Sequence, residues 1–334
     1  MRVGLTYDLK EAVKMERSAP EDALEEYDYP ATVEYIAKAF AAQGHTVVRL
    51  GGGREFLANI LRESVDIVFN IAEGRGTYRS REAQVPSVLE MLDIPYSGSD
   101  PLCLAISLDK ALTKEMAGRV GVATPRWSVL KDTGEIPAVK WDEFHFPVIL
   151  KPAFEGSSKG IRNSSLVPVP QDLHEAVGNL LSLYHQPVMV EEFIDGDEVT
   201  VGMLGNAPPG VLGIMRILPR KKEKNFIYSV EVKRDWRALV EYECPAQLPA
   251  GVIETLKIFS LKAFEVLGCR DFARIDFRVG RDGLPYFIEI NPLPGLGDYS
   301  DLVIMAIKLG WTQEGLIQAI LNAARERYPV CAQK

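Results

Sequence analysis

Three polar side chains near the end of the chain interrupt apolar segments that have the pattern of two strands. Asp276 and Glu289 each lie between two large apolar residues, and Asn291 follows Glu289 by two positions. Alternate residues of a strand share a face, and a hairpin through residues 281–283 would bring Asp276 to that face too. Buried carboxylates are usually paired or bound to a metal ion. The pattern predicts a Mg²⁺ site of carboxylate and amide oxygens, with an ordinary polar surface hairpin as the alternative.

A second group of residues has the chemistry to bind a nucleotide. Lys151 ends an apolar strand, where its charge would be costly in a core, and the loop 155–160 offers hydroxyls and backbone N–H groups to a polyphosphate. Glu191 and Glu198 flank a turn and could hydrogen-bond a ribose, and Ile194 between them could pack against a flat base. A small polar loop and a solvated strand end are the alternative interpretations.

Composition excludes several classes of protein. The chain has 334 residues, of which 47% are hydrophobic and 25% charged, as expected of a soluble enzyme of two or three domains. A net charge of −8 argues against non-specific nucleic-acid binding. No apolar run is long enough to span a membrane and no signal peptide is recognisable, which predicts a cytoplasmic protein.

The cysteines and histidines form no metal-ligand or catalytic pattern. Four scattered cysteines without a CxxC pair predict reduced thiols rather than a zinc site or a disulfide framework. They are Cys103, Cys244, Cys269 and Cys331.

The first hundred residues alternate strand and helix patterns, which predicts an α/β fold with a parallel sheet. The predicted strands are 3–7, 45–50 and 65–70, and the helices are 29–43 and 55–63. Because ligands in such folds bind beyond the carboxyl ends of the strands, segments 51–53 and 70–74 are expected near a site. The triple glycine 51–53 is equally compatible with a flexible turn, and it lacks the GxGxxG spacing of a dinucleotide site. The charged segment 8–28 is predicted to be an exposed loop or a mobile helix.

The remainder mixes strands and helices, as expected of an α+β architecture. Predicted strands are 146–152, 188–193, 199–204 and 213–217, and predicted helices are 81–92, 101–120, 171–184, 250–267, 302–309 and 313–328. The charged run 220–224 is usually a solvated loop, but the longer segment 220–236 is also a candidate lid.

Seven short motifs occur in an order that resembles the ATP-grasp superfamily and, within it, the D-alanine–D-alanine ligases. Each motif is weak alone, and the resemblance extends from about residue 70 to residue 301. The motifs are at 94–98, 108–110, 146–152, 155–158, 190–194, 274–277 and 289–295. The resemblance implies an ATP-grasp fold with an N-terminal parallel-sheet (pre-ATP-grasp) domain at 1–105. It also implies a small central α+β subdomain at 106–186 and a larger C-terminal α+β subdomain at 187–334.

The resemblance also implies roles for individual residues. Those expected to bind ATP are Lys110, Lys151, Ser158, Glu191, Ile194 and Glu198. Asp276, Glu289 and Asn291 resemble the ligands of two Mg²⁺ ions, for which Mn²⁺ is an alternative. Arg274 with the Gly295 backbone resembles the group that stabilises an oxyanion, and Lys233 resembles a lid lysine that reaches the γ-phosphate. Ser157 corresponds to a residue that orients the first amino acid, and Ser300 to one that binds the carboxylate of the second.

The implied activity is that of an ATP-dependent carboxylate–amine ligase that forms a dipeptide through an acyl phosphate, as in peptidoglycan biosynthesis. Its implied partners are ATP, Mg²⁺ and amino acids, without nucleic acid or membrane, and a homodimer is expected. The alternatives are a ligase for another amino acid or small metabolite, and a non-catalytic ATP-binding regulator on the same fold.

Departures from the family pattern lie on the amino-acid side. The glycine pair followed by Ser-x-Glu after the first strand is absent, and a histidine–glycine pair is replaced by residues 72–74. Arg234 replaces a tyrosine and Asp301 replaces a leucine. Such changes suit a larger or charged substrate, unless these side chains point to solvent.

Overall fold

The computed structural model describes residues 1–13, 19–221 and 224–332. Within these residues the strands form one parallel sheet of three strands and two antiparallel sheets of four and five strands. This mixture confirms the predicted fold class. None of the helices in the described ranges has the length and hydropathy needed to cross a bilayer.

The parallel sheet is built from the N-terminal alternation of strands and helices. Its elements are β1 (Arg2–Thr6), α1 (Pro30–Ala42), β2 (Thr46–Gly51), α2 (Gly53–Ile60) and β3 (Ile67–Asn70), with strand order β2-β1-β3. The apolar face of α1, with Val33, Ile36 and Phe40, is buried against this sheet together with Val3 and Leu5. The parallel βαβαβ prediction is therefore confirmed.

The prediction of one helix at 101–120 is wrong in one respect, because this segment forms two helices. After α3 (Gln84–Met91), the chain forms α4 (Pro101–Leu108) and α5 (Lys110–Arg119). Asp109 between them is extended, and its carboxylate accepts a hydrogen bond from the Leu112 amide at 3.2 Å, which caps α5. This break places Lys110 on the first turn of α5.

The four-stranded sheet has the order β4-β7-β5-β6. Its strands are β4 (Trp127–Leu130), β5 (Val148–Pro152), β6 (Leu166–Val167) and β7 (Val188–Glu192), and α6 (Leu173–Tyr184) packs on it. Strand β4 was not predicted, because it is short and three of its four residues are only half-buried.

The five-stranded sheet has the order β10-β9-β8-β11-β12. Its elements in chain order are β8 (Gly196–Leu204), β9 (Gly210–Pro219), α7 (Val230–Arg234), α8 (Trp236–Leu239), β10 (Val240–Glu243), α9 (Ala250–Val266), β11 (Phe272–Gly280) and β12 (Pro285–Asn291). The chain ends with α10 (Asp301–Lys308), α11 (Gln313–Glu326) and α12 (Pro329–Ala332). Short 3₁₀ helices occur at Lys10–Ala12, Arg81–Ala83, Thr133–Ala138, Trp141–Glu143, Asn163–Ser165 and Pro170–Asp172.

The hairpin of β11 and β12 has the predicted geometry. Asp276 lies opposite Glu289 and Arg274 lies opposite Asn291. Directly opposite residues share a face, so all four side chains lie on the same side of the sheet.

The prediction that segment 8–28 is exposed is wrong for most of its described residues, although Glu11, Ala12 and Glu21 are exposed; residues 14–18 lie outside the described residues. Asp8, Asp22 and Asp28 are all buried. Asp22 accepts hydrogen bonds from the Tyr184 hydroxyl at 2.8 Å and from the Gly160 amide at 2.9 Å. Asp22 is buried because it binds polar groups of the central part of the chain, which a local sequence pattern does not reveal.

Candidate active site

Two adjacent cavities share four lining residues. The larger has a volume of about 340 Å³ and the smaller one of about 60 Å³. Tyr228, Lys233, Glu289 and Asp301 line both. A group bound in one cavity can therefore meet a group bound in the other at this junction.

The smaller cavity is a cleft between the two antiparallel sheets. Ile149 of β5 and Glu191 of β7 line one wall, and Thr200 of β8 and Ile288 of β12 line the other. Ligand sites for molecules of drug size usually enclose roughly 300–1,000 Å³. A whole nucleotide therefore requires the walls of this cleft to move apart.

Glu191, which lines the cleft, forms ion pairs with both Lys151 and Lys114. Glu191 contacts Lys151 with one carboxylate oxygen, and its other oxygen lies 2.6 Å from Lys114 Nζ. Burial lowers the pKa of Lys114 to about 8, although Glu191 opposes the shift. Sequence analysis missed Lys114, although it lies one helical turn after Lys110 and so shares its face of α5.

Ile194 and Glu198 are held in the cleft by Arg278, a residue that sequence analysis also missed. Arg278 donates to the Ile194 carbonyl at 2.6 Å and to Glu198 Oε2 at 2.6 Å. Burial raises the pKa of Glu198, although Arg278 opposes the shift. The guanidinium thus fixes the turn that carries both candidate nucleotide-binding residues.

Lys110 joins α5 to the hairpin at the junction. Its Nζ donates to Glu289 Oε2 at 2.8 Å and to the Glu155 carbonyl at 2.6 Å. The ion pair raises the pKa of Lys110, although burial opposes this shift. The ion pair also lowers the pKa of Glu289, again against the effect of burial.

The oxygen side chains predicted to bind metal come together on the hairpin. Asn291 Nδ2 lies 3.3 Å from Asp276 Oδ2, and Glu289 lies directly opposite Asp276. The Thr200 hydroxyl donates to Asp276 Oδ1 at 2.7 Å. This donor set fits a hard divalent cation that takes its remaining ligands from phosphate and water. Consistently, the described residues contain no cluster of three His, Cys, Asp or Glu that could hold a metal ion alone.

Arg274 lies beside this oxygen set and faces the larger cavity. Its Nη2 lies 2.9 Å from Asp276 Oδ2, and its Nη1 lies 3.9 Å from Asp301 Oδ2. These carboxylates raise the pKa of Arg274 despite its burial. Asp301 is buried and accepts from the Tyr228 hydroxyl at 2.9 Å, so it does not point to solvent.

Helix α7 brings Lys233 to the junction. The helix begins after Ser229, whose hydroxyl accepts from the Val232 amide at 3.5 Å. Burial and the nearby Arg274 charge lower the pKa of Lys233. Lys233 Nζ lies 5.0 Å from the centre of the Tyr228 ring. Residues 222 and 223 of the predicted lid 220–236 lie outside the described residues.

The loop 155–160 is strained and anchored. Ser157 and Ser158 have φ of 49° and 59°, a region that residues other than glycine rarely adopt. The Ser158 hydroxyl donates to the Tyr228 carbonyl at 3.0 Å, and the Gly156 amide donates to Glu26 Oε1 at 2.6 Å. Ser157 lines the larger cavity while Ser158 lines the smaller one.

The remaining predicted substrate residues also line the larger cavity. Gly295 and Ser300 approach each other so closely that a Cβ atom on Gly295 would lie 2.9 Å from the Ser300 hydroxyl oxygen. Arg234 at the end of α7 forms ion pairs with Glu21 and Glu25. Every site residue predicted from the sequence therefore lies in the described structure, where it lines one or both of the cavities.

Comparisons with known proteins agree with this geometry. A family model described as the D-ala D-ala ligase C-terminus matches residues 117–322, more than half of the chain. The chain belongs to the D-alanine–D-alanine ligase family. The D-alanine–D-alanine ligase of Aquifex aeolicus is 35% identical over 87% of this chain and 94% of its own length. The uncharacterized protein y4sG of Sinorhizobium fredii is 33% identical over 88% of this chain and 87% of its own length.

Solved structures of the family share the fold. The D-alanine–D-alanine ligase of Bacillus anthracis complexed with ATP superposes with a TM-score of 0.75 at 23% identity, covering 98% of both chains. The VanG D-Ala:D-Ser ligase of Enterococcus faecalis gives a TM-score of 0.70 at 19% identity, covering 97% of this chain and 99% of that one. Membership of this ATP-grasp ligase family implies the use of ATP and a divalent metal ion.

Several acids that line the larger cavity had no place in the predicted site. Among them are Glu26, Asp28, Glu73 and Glu82. Glu73 occupies the position where the sequence lacks the family's histidine. This departure from the family pattern was the one feature of the sequence that could have indicated an acid here. Glu26 and Asp28 lie in the charged segment 8–28, which was predicted to be exposed, and Glu82 lies in the predicted helix 81–92.

Proposed function

We propose that this chain is an ATP-dependent ligase that joins the carboxylate of one amino acid to the amine of a second. The carboxylate attacks the γ-phosphorus of ATP to form an acyl phosphate and ADP, and the amine then displaces phosphate. The observation that carries the proposal is the convergence of three cations and two carboxylates at the junction of the cavities. These residues are Lys110, Lys233, Arg274, Asp276 and Glu289.

The cleft between the antiparallel sheets is proposed to hold ATP. Ile194 and the other isoleucines of its walls suit a flat base, and Glu198 faces the same cleft as a ribose ligand. Lys110 and Lys151 are the proposed phosphate ligands, with the Ser158 segment closing over them. Glu191 acts through its lysine pairs, since both of its oxygens are engaged.

Asp276, Glu289 and Asn291 are the proposed metal ligands. A bound divalent ion neutralises charge on the transferred phosphoryl group. The number of ions, two in the prediction, and their replacement by Mn²⁺ stay predictions. Lys233 adds a positive charge from the lid side, where it faces both cavities.

The second step requires a donor for the oxyanion that forms when the amine attacks. Arg274 faces the larger cavity beside the junction, and we assign it this role together with the Gly295 backbone. Such a donor contributes about 3–4 kcal/mol to transition-state stabilisation. Because acyl phosphates hydrolyse readily, the lid must also exclude water.

The larger cavity is proposed to hold the two amino acids. Ser157 lies on the side of the first, and Ser300, Asp301 and Arg234 lie on the side of the second. The domain limits 1–105, 106–186 and 187–334 are likewise proposed. A homodimer and a cytoplasmic location stay predictions.

The proposal is tested by ADP release with Mg²⁺-ATP across a panel of D- and L-amino acids, alone and in pairs, with product masses measured. ADP together with a dipeptide mass supports the ligase. ADP with a different amide product favours another small-metabolite substrate. ATP binding without ADP release under every condition contradicts the ligase and favours a regulator.

A further inference from the structure

Three carboxylates that line the larger cavity have no partner among the described residues. We call Asp28, Glu73 and Glu82 the acidic trio. Asp28 is 7% exposed and Glu82 is 8% exposed, and Glu73 is partly buried. In the part of the chain that the structure describes, no hydrogen bond or ion pair engages any of these side chains. Buried carboxylates normally have a hydrogen-bond or ion-pair partner, so the absence of such partners around the trio needs an explanation.

Arg81 and Lys159, whose charges act on Glu82, already pair with other acids. Arg81 Nη2 lies 2.6 Å from Glu26 Oε2 and 3.1 Å from Glu155 Oε2. Lys159 binds the same two carboxylates. Two cations and two carboxylates thus form a cluster whose charges balance.

Two of the three lysines that line the cavity are also engaged. Lys110 donates to Glu289 at 2.8 Å, and Lys10 lies 3.7 Å from Glu25. Among the described residues, therefore, no ion pair connects a cation to any carboxylate of the trio.

The protein environment opposes ionisation of all three acids. Burial raises the pKa of Asp28 to about 8 and that of Glu82 to about 7. Burial and the Glu82 charge raise the pKa of Glu73 well above its usual value. A cation placed among these side chains would supply the missing compensation.

We propose that the acidic trio binds cationic groups of the amino acid whose carboxylate is activated, and that this substrate is a diamino acid. The α-ammonium of any amino acid would engage one carboxylate. A second, side-chain ammonium would engage another, and the third acid can remain protonated. Ser157 and Lys110 line the same cavity, so the substrate carboxylate would lie toward the junction while its amines lie toward the trio. This inference rests on the proposed ligase function.

The test compares amino acids that differ only by the side-chain amine. ADP release is measured with ornithine against norvaline and with lysine against norleucine, as D- and L-isomers, each alone and with D-alanine. We expect kcat/KM for the diamino acid to exceed that of its neutral partner by about 10-fold or more, because a charge-assisted hydrogen bond is strong.

Two variants assign the effect to the trio. Glu82→Gln and Glu73→Gln should each lower kcat/KM for the diamino acid by about 10- to 100-fold and change the neutral amino acid much less. Glu115→Gln is the matched control and should leave the preference unchanged, because Glu115 lies at an exposed helix position and pairs with Arg119 at 3.9 Å. Thermal unfolding and ATP-analogue binding verify that each variant is folded.

The outcomes separate the two proposals. A diamino preference that both Gln variants abolish supports the role of the trio. Equal use of neutral and diamino acids by the wild-type protein overturns it and leaves the ligase function standing. A preference that survives in both variants also overturns it. Failure of every amino acid to release ADP contradicts the ligase function itself, and with it the inference.

Discussion

Lys110 Nζ lies 2.8 Å from Glu289 Oε2, so a proposed phosphate ligand neutralises a proposed metal ligand. Arg274 does the same for Asp276, with Nη2 2.9 Å from Oδ2. Both carboxylates are thus compensated by cations of the protein when no metal ion is bound. Metal and nucleotide binding would exchange these partners together, because a metal ion would take the carboxylates and the phosphates would take Lys110.

This exchange predicts that metal affinity depends on the nucleotide. A metal ion that binds alone must break the Lys110–Glu289 pair and leave the lysine charge uncompensated. A bound triphosphate would compensate that charge. We expect Mn²⁺, followed by electron paramagnetic resonance, to bind at least about 10-fold more tightly with a non-hydrolysable ATP analogue than without it. Free analogue in a protein-free titration corrects for metal bound to nucleotide in solution. Equal affinity in both conditions would show that the two events are not coupled.

Arg274→Gln should slow catalysis and spare nucleotide binding. The guanidinium would act on the oxyanion of the second step, so its loss should lower kcat by about 10²- to 10³-fold. ATP affinity, measured by calorimetry, should change by only a few-fold. Arg281→Gln on the same hairpin is the control, because Arg281 is exposed and pairs with Asp195 at the surface. A similar kcat for Arg274→Gln and the wild-type protein would remove Arg274 from the mechanism.

Arg234→Gln should weaken the closure of the predicted lid, residues 220–236. Arg234 connects α7 to Glu21 and Glu25, and Arg162 connects the same helix to the central loop through Glu231 at 3.3 Å. These are partly exposed pairs, each worth about 0.2–1 kcal/mol, so folding should be little affected. More acyl phosphate should be lost to water, which lowers the ratio of amide product to ADP. Arg119→Gln, at an exposed site, should leave that ratio unchanged; an unaltered ratio in Arg234→Gln would mean that the ion pairs do not control water access.

Glu82→Gln should be more stable than the wild-type protein at alkaline pH. Burial raises the pKa of Glu82 from 4.5 to about 7, with Arg81, Lys110 and Lys159 opposing and Glu26 reinforcing the shift. The native state therefore binds more protons than the unfolded state between these values, and it loses stability as the pH rises through them. We expect the variant to gain about 1–3 kcal/mol in free energy of unfolding at pH 8 and little at pH 4.5. Urea unfolding at both values measures the difference, and a gain of equal size at both would exclude titration of Glu82 as its cause.

The positions of the proposed metal and nucleotide residues on their strands were predictable because local periodicity determines where they point. Glu289 and Asn291 are two positions apart in a strand, and a short turn brings Asp276 opposite Glu289. A fixed strand period and a short connection leave few alternatives. The same reasoning located Lys151 at the end of β5.

The acidic side of the larger cavity was not predictable, because its geometry depends on contacts between distant segments. Glu26 is buried by Arg81 and Lys159, which lie 55 and 133 positions away. A charged segment such as 8–28 normally indicates solvent exposure. Only the tertiary fold shows that this one is buried against the central loop.

The most direct test of the account follows oxygen from substrate to phosphate. An amino acid identified as a substrate is labelled with ¹⁸O in its carboxylate, and the released phosphate is analysed by mass spectrometry. If the carboxylate attacks the γ-phosphorus, one ¹⁸O atom appears in inorganic phosphate for each amide bond formed, with ADP as the nucleotide product. Unlabelled phosphate, or AMP with pyrophosphate in place of ADP, would contradict an acyl phosphate at this site.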